Sequence, residues 1–290
     1  MAHRYGERPA AGTPRIKRQP LPGDDLEANK MPGHWLLARL GKRVLRPGGL
    51  ELTRRLIEHL EIRPSDSVVE FAPGLGVTAR LALNRHPSAY TAVERDETAA
   101  GNLRRLLLGP HQKCVCGSAD QTALASGIAS VVYGEAMLTM QGPVQKASII
   151  REAFRLLQPG GRYGIHELCF TPDDLDEQIK GEVQNKLMES IRVGARPLTV
   201  AEWRALLEKQ GFEVTHESLA PMHLLEPARL LRDEGILGTG RFMLNVLRDS
   251  DARARVKAMR GVFKKYEAHM AAIMLVASKA SAPSPSPELQ

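Results

Sequence analysis

The sequence predicts an α/β protein with a doubly wound, mostly parallel seven-stranded sheet, an antiparallel last strand and an N-terminal helical extension. Two observations predict this class. Five short runs rich in β-branched and aromatic residues alternate with segments of helical periodicity. Two further strand-like runs follow them and suit a closing hairpin. With 290 residues, 43% of them hydrophobic, the chain can bury one large core with extensions.

The ends of the chain differ in composition from its middle. Residues 1–30 are rich in proline, glycine and charge, which predicts a disordered basic segment, and 281–290 predicts a disordered tail. Between residues 31 and 62, apolar residues at helical spacing predict two helices, broken by the sequence RPGG at 46–49. Residues 63–280 then form the main predicted domain.

The first part of that domain carries the alternation. The strand-like runs are 67–71, 89–94, 112–116, 129–133 and 162–168. The clearest helices between them are 97–108 and 143–157, and the second stops at Pro159-Gly160-Gly161. Strands that alternate with helices predict βαβ units, in which neighbouring strands run parallel.

The second part predicts two more helices and the closing strands. Thr171 can cap a helix over 171–191, whose first turn is acidic. A capping box begins a helix at 199–210. The runs GFEVTHESL (211–219) and MAAIMLVAS (270–278) predict the last two strands.

Charge and cysteine usage limit the possible functions. The formal net charge is +7, with a basic excess concentrated in the first twenty residues and in 241–265. Aromatic residues make up only 4%, which argues against stacking platforms for single-stranded nucleic acid. No apolar run approaches the roughly 20 residues of a membrane span, and the N-terminus has no apolar secretory core.

The three cysteines are an odd number, which favours a reducing, cytoplasmic location over a disulfide framework. Cys114 and Cys116 are two residues apart, but no second pair of ligands lies at metal-binding spacing, so no metal is expected. Their spacing within a predicted strand indicates that both are buried on one face as small apolar side chains.

A glycine-rich turn follows the first strand, in the stretch VVEFAPGLGVTAR at 68–80. A strand followed by a turn without bulky side chains and the start of a helix can bind a nucleotide-like ligand. Gly74-x-Gly76-x-x-Ala79 fits the dinucleotide fingerprint, and Glu94 lies 20 residues after Gly74. Glu70, however, comes just before the turn, where its charge disfavours a pyrophosphate and favours a ligand with a positive group.

The stretch VVEFAPGLG resembles the first motif, E/D-x-G-x-G-x-G, of class I S-adenosylmethionine-dependent methyltransferases, with Ala72 in place of the first glycine. The resemblance continues with Glu94, with GSAD at 117–120 and with the helix, PGG turn and strand of 151–168. It implies a Rossmann-like sheet, S-adenosylmethionine as the methyl donor and S-adenosylhomocysteine as a product. Within this family the chain is most similar to the broad group that includes quinone and other small-molecule methyltransferases.

The resemblance implies cofactor contacts at the turn. Glu70 would orient the turn and the methionyl ammonium. The backbone at Ala72, Gly74 and Gly76 would pass against the methionyl and ribose parts. Glu94 would accept hydrogen bonds from both ribose hydroxyls.

Further contacts follow from the same resemblance. Ser118 and Ala119 would border the adenine, and Asp120 would accept from its exocyclic amine. The insertion at 171–198 would cap the substrate. Residues 31–62 would form a lid, in which Arg46 would pair with the methionyl carboxylate.

Catalytic candidates lie at the carboxyl ends of the fourth and fifth strands, where open parallel sheets bind their ligands. His166 could act as a general base near neutral pH, or it could be a core histidine satisfied by hydrogen bonds. Glu135 could border the sulfonium, or it could have a structural role. Alternation sends His166 and Glu167 to opposite faces of their strand.

The predicted function is methyl transfer to a small-molecule acceptor, and no nucleic-acid partner is expected. Two alternatives stay open. The basic stretch 241–265 could contact phosphates in an RNA methyltransferase. The protein could also hold S-adenosylmethionine or S-adenosylhomocysteine without catalysing a reaction. The sequence does not predict an oligomeric state.

Overall fold

The structure is a computed structural model that describes residues 19–280. The predicted tail at 281–290 and residues 1–18 of the predicted N-terminal segment lie outside the described residues. Residues 19–30 differ from the prediction of disorder, because they form turns and bury Ala28. The folded part of the chain therefore begins earlier than the predicted boundary at residue 31.

The described residues form nine α-helices, one 3-10 helix (Glu267–His269) and eight strands. The helices are α1 (Gly33–Leu40), α2 (Gly49–His59), α3 (Val77–Leu83), α4 (Glu97–Arg104), α5 (Pro143–Leu156), α6 (Glu177–Ile191), α7 (Val200–Lys209), α8 (Pro227–Arg248) and α9 (Ser250–Lys265). The strands are β1 (Ser67–Phe71), β2 (Ala89–Glu94), β3 (Gln112–Cys116), β4 (Ala129–Glu135), β5 (Leu157–Phe170), β6 (Leu198–Thr199), β7 (Phe212–Pro221) and β8 (Met270–Lys279). No helix within residues 19–280 has the length and apolarity needed to cross a bilayer.

The sheet order confirms the predicted doubly wound fold. The strands follow one another as β3-β2-β1-β4-β5-β8-β7. The first five are parallel, and β8 lies antiparallel between β5 and β7. The chain order reverses between β1 and β4, and at such a switch point the carboxyl ends of the strands leave a crevice for a ligand.

Three apolar clusters hold the structure together. One lies between α5, α7 and one face of the sheet, and includes Ile150 and Trp203. A second lies on the opposite face, where Leu56 of α2 packs near Tyr133. The third joins α1, α6, α8 and α9 beyond the carboxyl ends of the strands. We call this layer of α1, α6, α8 and α9 the cap. Of the two helices in the predicted lid at 31–62, α1 belongs to the cap, whereas α2 covers the sheet.

Two local predictions differ from the structure. The helix predicted from Thr171 begins at Glu177, because Asp176 accepts from the amides of Gln178 and Ile179 and so provides the cap. Cys116 is exposed, and only Cys114 is partly buried. The prediction that both are buried is wrong because β3 is the edge strand, where the sheet faces are less covered.

Candidate active site

A cavity of about 680 Å³ opens at the carboxyl ends of the parallel strands. Its floor includes the glycine turn after β1, the end of β2 and the loops after β3 and β4. Its cap comes from α1, α6 and α9. The cavity lies where the sheet topology places a ligand site in an open α/β fold.

The backbone shape of the turn requires small residues. Ala72, Gly74 and Gly76 all adopt positive φ angles, of 50°, 55° and 70°. A β-carbon on Gly76 would lie 2.7 Å from Cδ2 of Leu106, so this glycine is needed for packing as well as for its φ angle. Ala72 adopts the left-handed conformation that favours glycine, and its amide donates to the carbonyl of Val93 at 2.8 Å.

Glu94 lies on the cavity wall beside this turn. Its Oε2 accepts from the amide of Gly74 at 3.1 Å, and its Oε1 accepts from the amide of Asp96 at 3.1 Å. Burial raises the pKa of Glu94, while these amides act in the opposite direction. The carboxylate is thus held against the turn and faces the cavity.

Glu70 occupies a different place. The hydroxyl of Tyr133 donates to its Oε2 at 2.6 Å, and the hydroxyl of Tyr90 donates to the same oxygen. Glu70 is 3% exposed and is not among the residues that line the cavity. Burial raises its pKa to about 7. Glu94 therefore lies on the cavity side of the turn, whereas Glu70 lies beneath it.

Glu135 lines the cavity and accepts from four side chains. Thr53 donates at 2.6 Å, Thr78 donates to the other oxygen, and Arg46 lies 3.1 Å from it. Nδ1 of His166 lies 2.8 Å from Oε1. Burial raises the pKa of Glu135, but Arg46 and His166 outweigh this effect and lower the pKa to about 2. This carboxylate stays ionised at neutral pH and is too well paired to act as a general base.

His166 is fully buried and does not line the cavity. Its Nε2 lies 2.6 Å from the carbonyl oxygen of Pro47, and its Nδ1 faces Glu135. Both ring nitrogens are thus occupied by protein partners, and the buried ring does not reach the cavity. The prediction of His166 as a general base is corrected to its alternative, a core histidine satisfied by hydrogen bonds.

Arg46 reaches the cavity from the loop before α2. One terminal nitrogen contacts Glu135, but Nε and Nη2 are buried without a hydrogen-bond partner among residues 19–280. A buried guanidinium with unused donors fits an anionic ligand group, because unpaired buried donors cost free energy. Only the family resemblance had indicated that Arg46 would lie at this site.

The loop after β3 forms the far wall. Ser118 and Ala119 line the cavity. The Ser118 hydroxyl donates to Asp120, and this bond lowers the pKa of the Asp120 carboxyl. Asp120 itself is not among the lining residues, so Ser118 and Ala119, but not Asp120, face the cavity directly. Gln145, which the sequence did not single out, does line the cavity.

The loop after β4 is held by Glu167. Its carboxylate accepts from the amides of Met137, Leu138 and Thr139 at 2.7–3.0 Å, and from the Thr139 hydroxyl at 2.7 Å. Glu167 and His166 point to opposite faces of β5, as predicted. This network fixes the backbone that carries Met137 and Met140 to the cavity.

The part of the cavity beneath the cap is apolar. The apolar residues that line this part are Trp35, Leu37, Leu187, Ile191, Met222, Leu224, Met259 and Phe263. His34 also lines this part, and burial lowers its pKa to about 4, which keeps the imidazole neutral at neutral pH. No sequence pattern indicated His34, because α1 is far from the strands along the chain.

The fold and the cavity define a protein that holds a nucleoside cofactor at the switch point of an α/β sheet. Residues 69–165 match the family described as "Methyltransferase domain". A protein of Haemophilus influenzae is 30% identical over 239 residues, which cover 81% of this chain and 93% of the relative.

Solved structures share the fold at low sequence identity. The MccD protein superposes with a TM-score of 0.64 and 16% identity, covering 81% of this chain and 99% of MccD. Geranyl diphosphate methyltransferase in complex with S-adenosylmethionine has a TM-score of 0.58 and 14% identity, covering 79% and 85%. Phosphoethanolamine N-methyltransferase 2 of Haemonchus contortus has a TM-score of 0.64 and 14% identity, covering 86% and 57%.

The chain belongs to the class I S-adenosylmethionine-dependent methyltransferases. Its methyl donor is S-adenosylmethionine. Two structural observations agree with this cofactor. The turn leaves open space above Gly74, where a β-carbon would find no protein atom closer than 4.0 Å. Arg46 carries unused buried donors in the same cavity.

Proposed function

We propose that this protein transfers the methyl group of S-adenosylmethionine to a small, largely apolar acceptor by in-line displacement. The observation that carries the proposal is the composition of the cavity. Its wall at the glycine turn is polar and carries Glu94, whereas its wall under the cap is formed mainly by leucine, methionine and aromatic side chains. An acceptor that fills this part must itself be mainly apolar.

The polar part of the cavity supports the cofactor contacts. Glu94 accepts from the ribose hydroxyls, and Ser118 and Ala119 border the adenine. Arg46 donates from Nε and Nη2 to the methionyl carboxylate, which gives its unused donors a charged partner. Glu70 lies beneath the turn, where it accepts hydrogen bonds from Tyr90 and Tyr133, and it makes no direct contact with the cofactor.

The proposed chemistry requires alignment more than proton transfer. The bound cofactor supplies a methyl carbon activated by positive sulfur. The chain aligns the acceptor against this carbon and excludes water, which provides most of the rate gain in such a displacement. Glu135 holds Arg46 in place and takes no proton. His34 is neutral and faces the cavity, so it can accept a hydrogen bond from the acceptor.

The basic stretch supports the RNA alternative less well than the small-molecule function. Arg255 is buried and donates to the carbonyls of Ala28, Met31 and Ser190, so its role is structural. Arg260 pairs with Glu226, and Lys265 with Glu182, and both pairs reduce the charge available to phosphates. Val256, Met259, Phe263 and Tyr266, on another face of this stretch, pack in the apolar cluster with α1, α6 and α8.

We also propose a cytoplasmic location. The cysteines at 114, 116 and 169 are free, which supports a reducing compartment.

The experiment is a transfer assay with methyl-labelled S-adenosylmethionine and the small molecules of a cell extract. We expect label in the fraction that extracts into organic solvent. Met140→Lys places a cation in the apolar part of the cavity, so this variant should bind S-adenosylhomocysteine normally and lose transfer. Transfer to RNA, or unchanged transfer by Met140→Lys, would contradict the proposal. Cofactor binding with no transfer to any acceptor would support the noncatalytic alternative.

A further inference from the structure

Helix α8 carries a surface with no structural role in the described part of the chain. The helix is kinked at Gly235, where φ is 71° and ψ is 176°. Six large apolar side chains on it are exposed: Leu231, Ile236, Leu237, Met243, Leu244 and Leu247. Leu237 and Ile236 are 89% and 79% exposed, so they contact almost nothing in the protein. We call these six residues the α8 patch.

The patch is a continuous helical face rather than a scatter of residues. After the kink, Ile236, Gly240, Met243 and Leu247 recur at spacings of three and four, which places them in one stripe. The neighbouring stripe contains Leu237, Arg241, Leu244 and Arg248 at the same spacing. An apolar stripe beside a stripe of alternating leucine and arginine is typical of helices that lie in a membrane interface.

The opposite face of α8 already fixes the helix to the protein. Phe242 and Val246 are buried in the cap cluster. Asp233 and Glu234 are buried too and face the buried Lys42 at 3.8 and 3.7 Å. The exposed residues are therefore not needed to anchor the helix. Something outside the described residues must account for them, because contiguous exposed apolar surface marks interaction sites.

The exposed charges of α8 itself are of one sign. Within α8, all of whose residues the structure describes, the exposed charged side chains are Arg232, Arg241 and Arg248. None of the three forms an ion pair with residues 19–280. The two acids of the helix, Asp233 and Glu234, are buried. The surface therefore offers an apolar face with an unpaired positive rim.

We propose that the α8 patch docks on the surface of an anionic lipid bilayer. The apolar side chains insert between the head groups, and the three arginines contact lipid phosphates. A second copy of the chain is a poorer occupant, because a two-fold contact through this patch sets arginines against arginines. A nucleic acid is poorer as well, because it would leave the leucine and isoleucine side chains without apolar partners.

The experiment is flotation of the full-length protein with vesicles of phosphatidylcholine, with or without phosphatidylglycerol. We expect the wild-type protein to float with the anionic vesicles and much less with the neutral ones. Replacing the three arginines with glutamine should lower partitioning roughly a hundredfold, since each contributes about 1 kcal/mol near an anionic surface. The triple variant Ile236→Ser, Leu237→Ser, Leu247→Ser should lower it on the order of tenfold or more.

The matched control is Leu108→Ser with Val144→Ser, because these two apolar residues are 86% and 81% exposed but lie outside α8. The control should float as the wild type does. Binding of S-adenosylhomocysteine by every variant shows that each is folded. No flotation of the wild type with anionic vesicles would overturn the proposal, as would unchanged flotation of the α8 variants. A wild-type dimer that becomes monomeric in the serine variant would also overturn it and assign the patch to a second copy.

Discussion

The substitution Gly74→Ala tests whether the open space above the glycine turn belongs to the cofactor. A β-carbon at this position would lie 4.0 Å from its nearest protein neighbour, the carbonyl oxygen of Ala72. The protein itself therefore has room for it. Gly74 lines the cavity, so the added methyl group would occupy space in which we propose that S-adenosylmethionine binds.

The cost to folding and the cost to binding can be calculated separately. An alanine at a φ of 55° costs about 1–2 kcal/mol in the left-handed conformation. The lower entropy of the unfolded chain offsets about 0.4–1 kcal/mol of this. A net loss of about 1 kcal/mol lowers the melting temperature by about 3 °C. A methyl group forced into a packed site costs a further 1–3 kcal/mol or so, which weakens cofactor binding by a factor of about 5 to 150.

Gly127→Ala is the matched control. Gly127 has a φ of 64°, and a β-carbon there would meet nothing within 4 Å, but the residue does not line the cavity. Both variants should lose the same thermal stability in scanning fluorimetry. Only Gly74→Ala should lose affinity for S-adenosylhomocysteine in calorimetry. Equal affinities for Gly74→Ala and Gly127→Ala would refute the placement of the cofactor against the turn.

Three further predictions concern stability. Ala72→Gly should raise the free energy of unfolding by about 0.5–1 kcal/mol in urea titrations, because glycine relieves the positive φ angle; a loss of stability would contradict this. Glu234→Gln should lower the free energy of unfolding by about 3 kcal/mol, because Lys42 stays buried with a weaker partner. A change below about 0.5 kcal/mol would show that the ion pair of Lys42 and Glu234 does not stabilise the fold. The pKa of Glu70 is about 7 in the folded protein, against an ordinary value of 4.5. The stabilisation that comes from protonated Glu70 is therefore fully present below pH 4.5 and is lost as the pH rises through 7. Glu70→Gln should therefore gain stability relative to the wild type between pH 5 and pH 8, by about 3 kcal/mol, and a pH-independent difference in melting temperature would contradict the burial of this carboxyl.

Much of the fold follows from local patterns. Strands β1 to β4 begin where the β-rich runs begin, whereas β5 starts at Leu157, five residues before its predicted run, and the short parallel strand β6 was not predicted. The glycine turn and Glu94 were also predictable, because a positive φ angle and a strand end are encoded by neighbouring residues. The capping box of α7 is present as predicted, with Thr199 and Glu202 as partners.

The parts that sequence did not reveal depend on contacts between distant residues. Alternation along β1 does not tell which face Glu70 occupies, and Tyr90 and Tyr133 come from two other strands. The role of His166 depends on Pro47, which is 119 residues away along the chain. The exposed face of α8 escaped prediction because its kink interrupts the helical pattern at Gly235.

The most direct test of the account is calorimetric titration of the wild type and Glu94→Ala with S-adenosylhomocysteine, with NAD as the comparison ligand. We predict micromolar binding of S-adenosylhomocysteine to the wild type, its loss in Glu94→Ala, and no binding of NAD. Undiminished binding in Glu94→Ala, or a preference of the wild type for NAD, would contradict it.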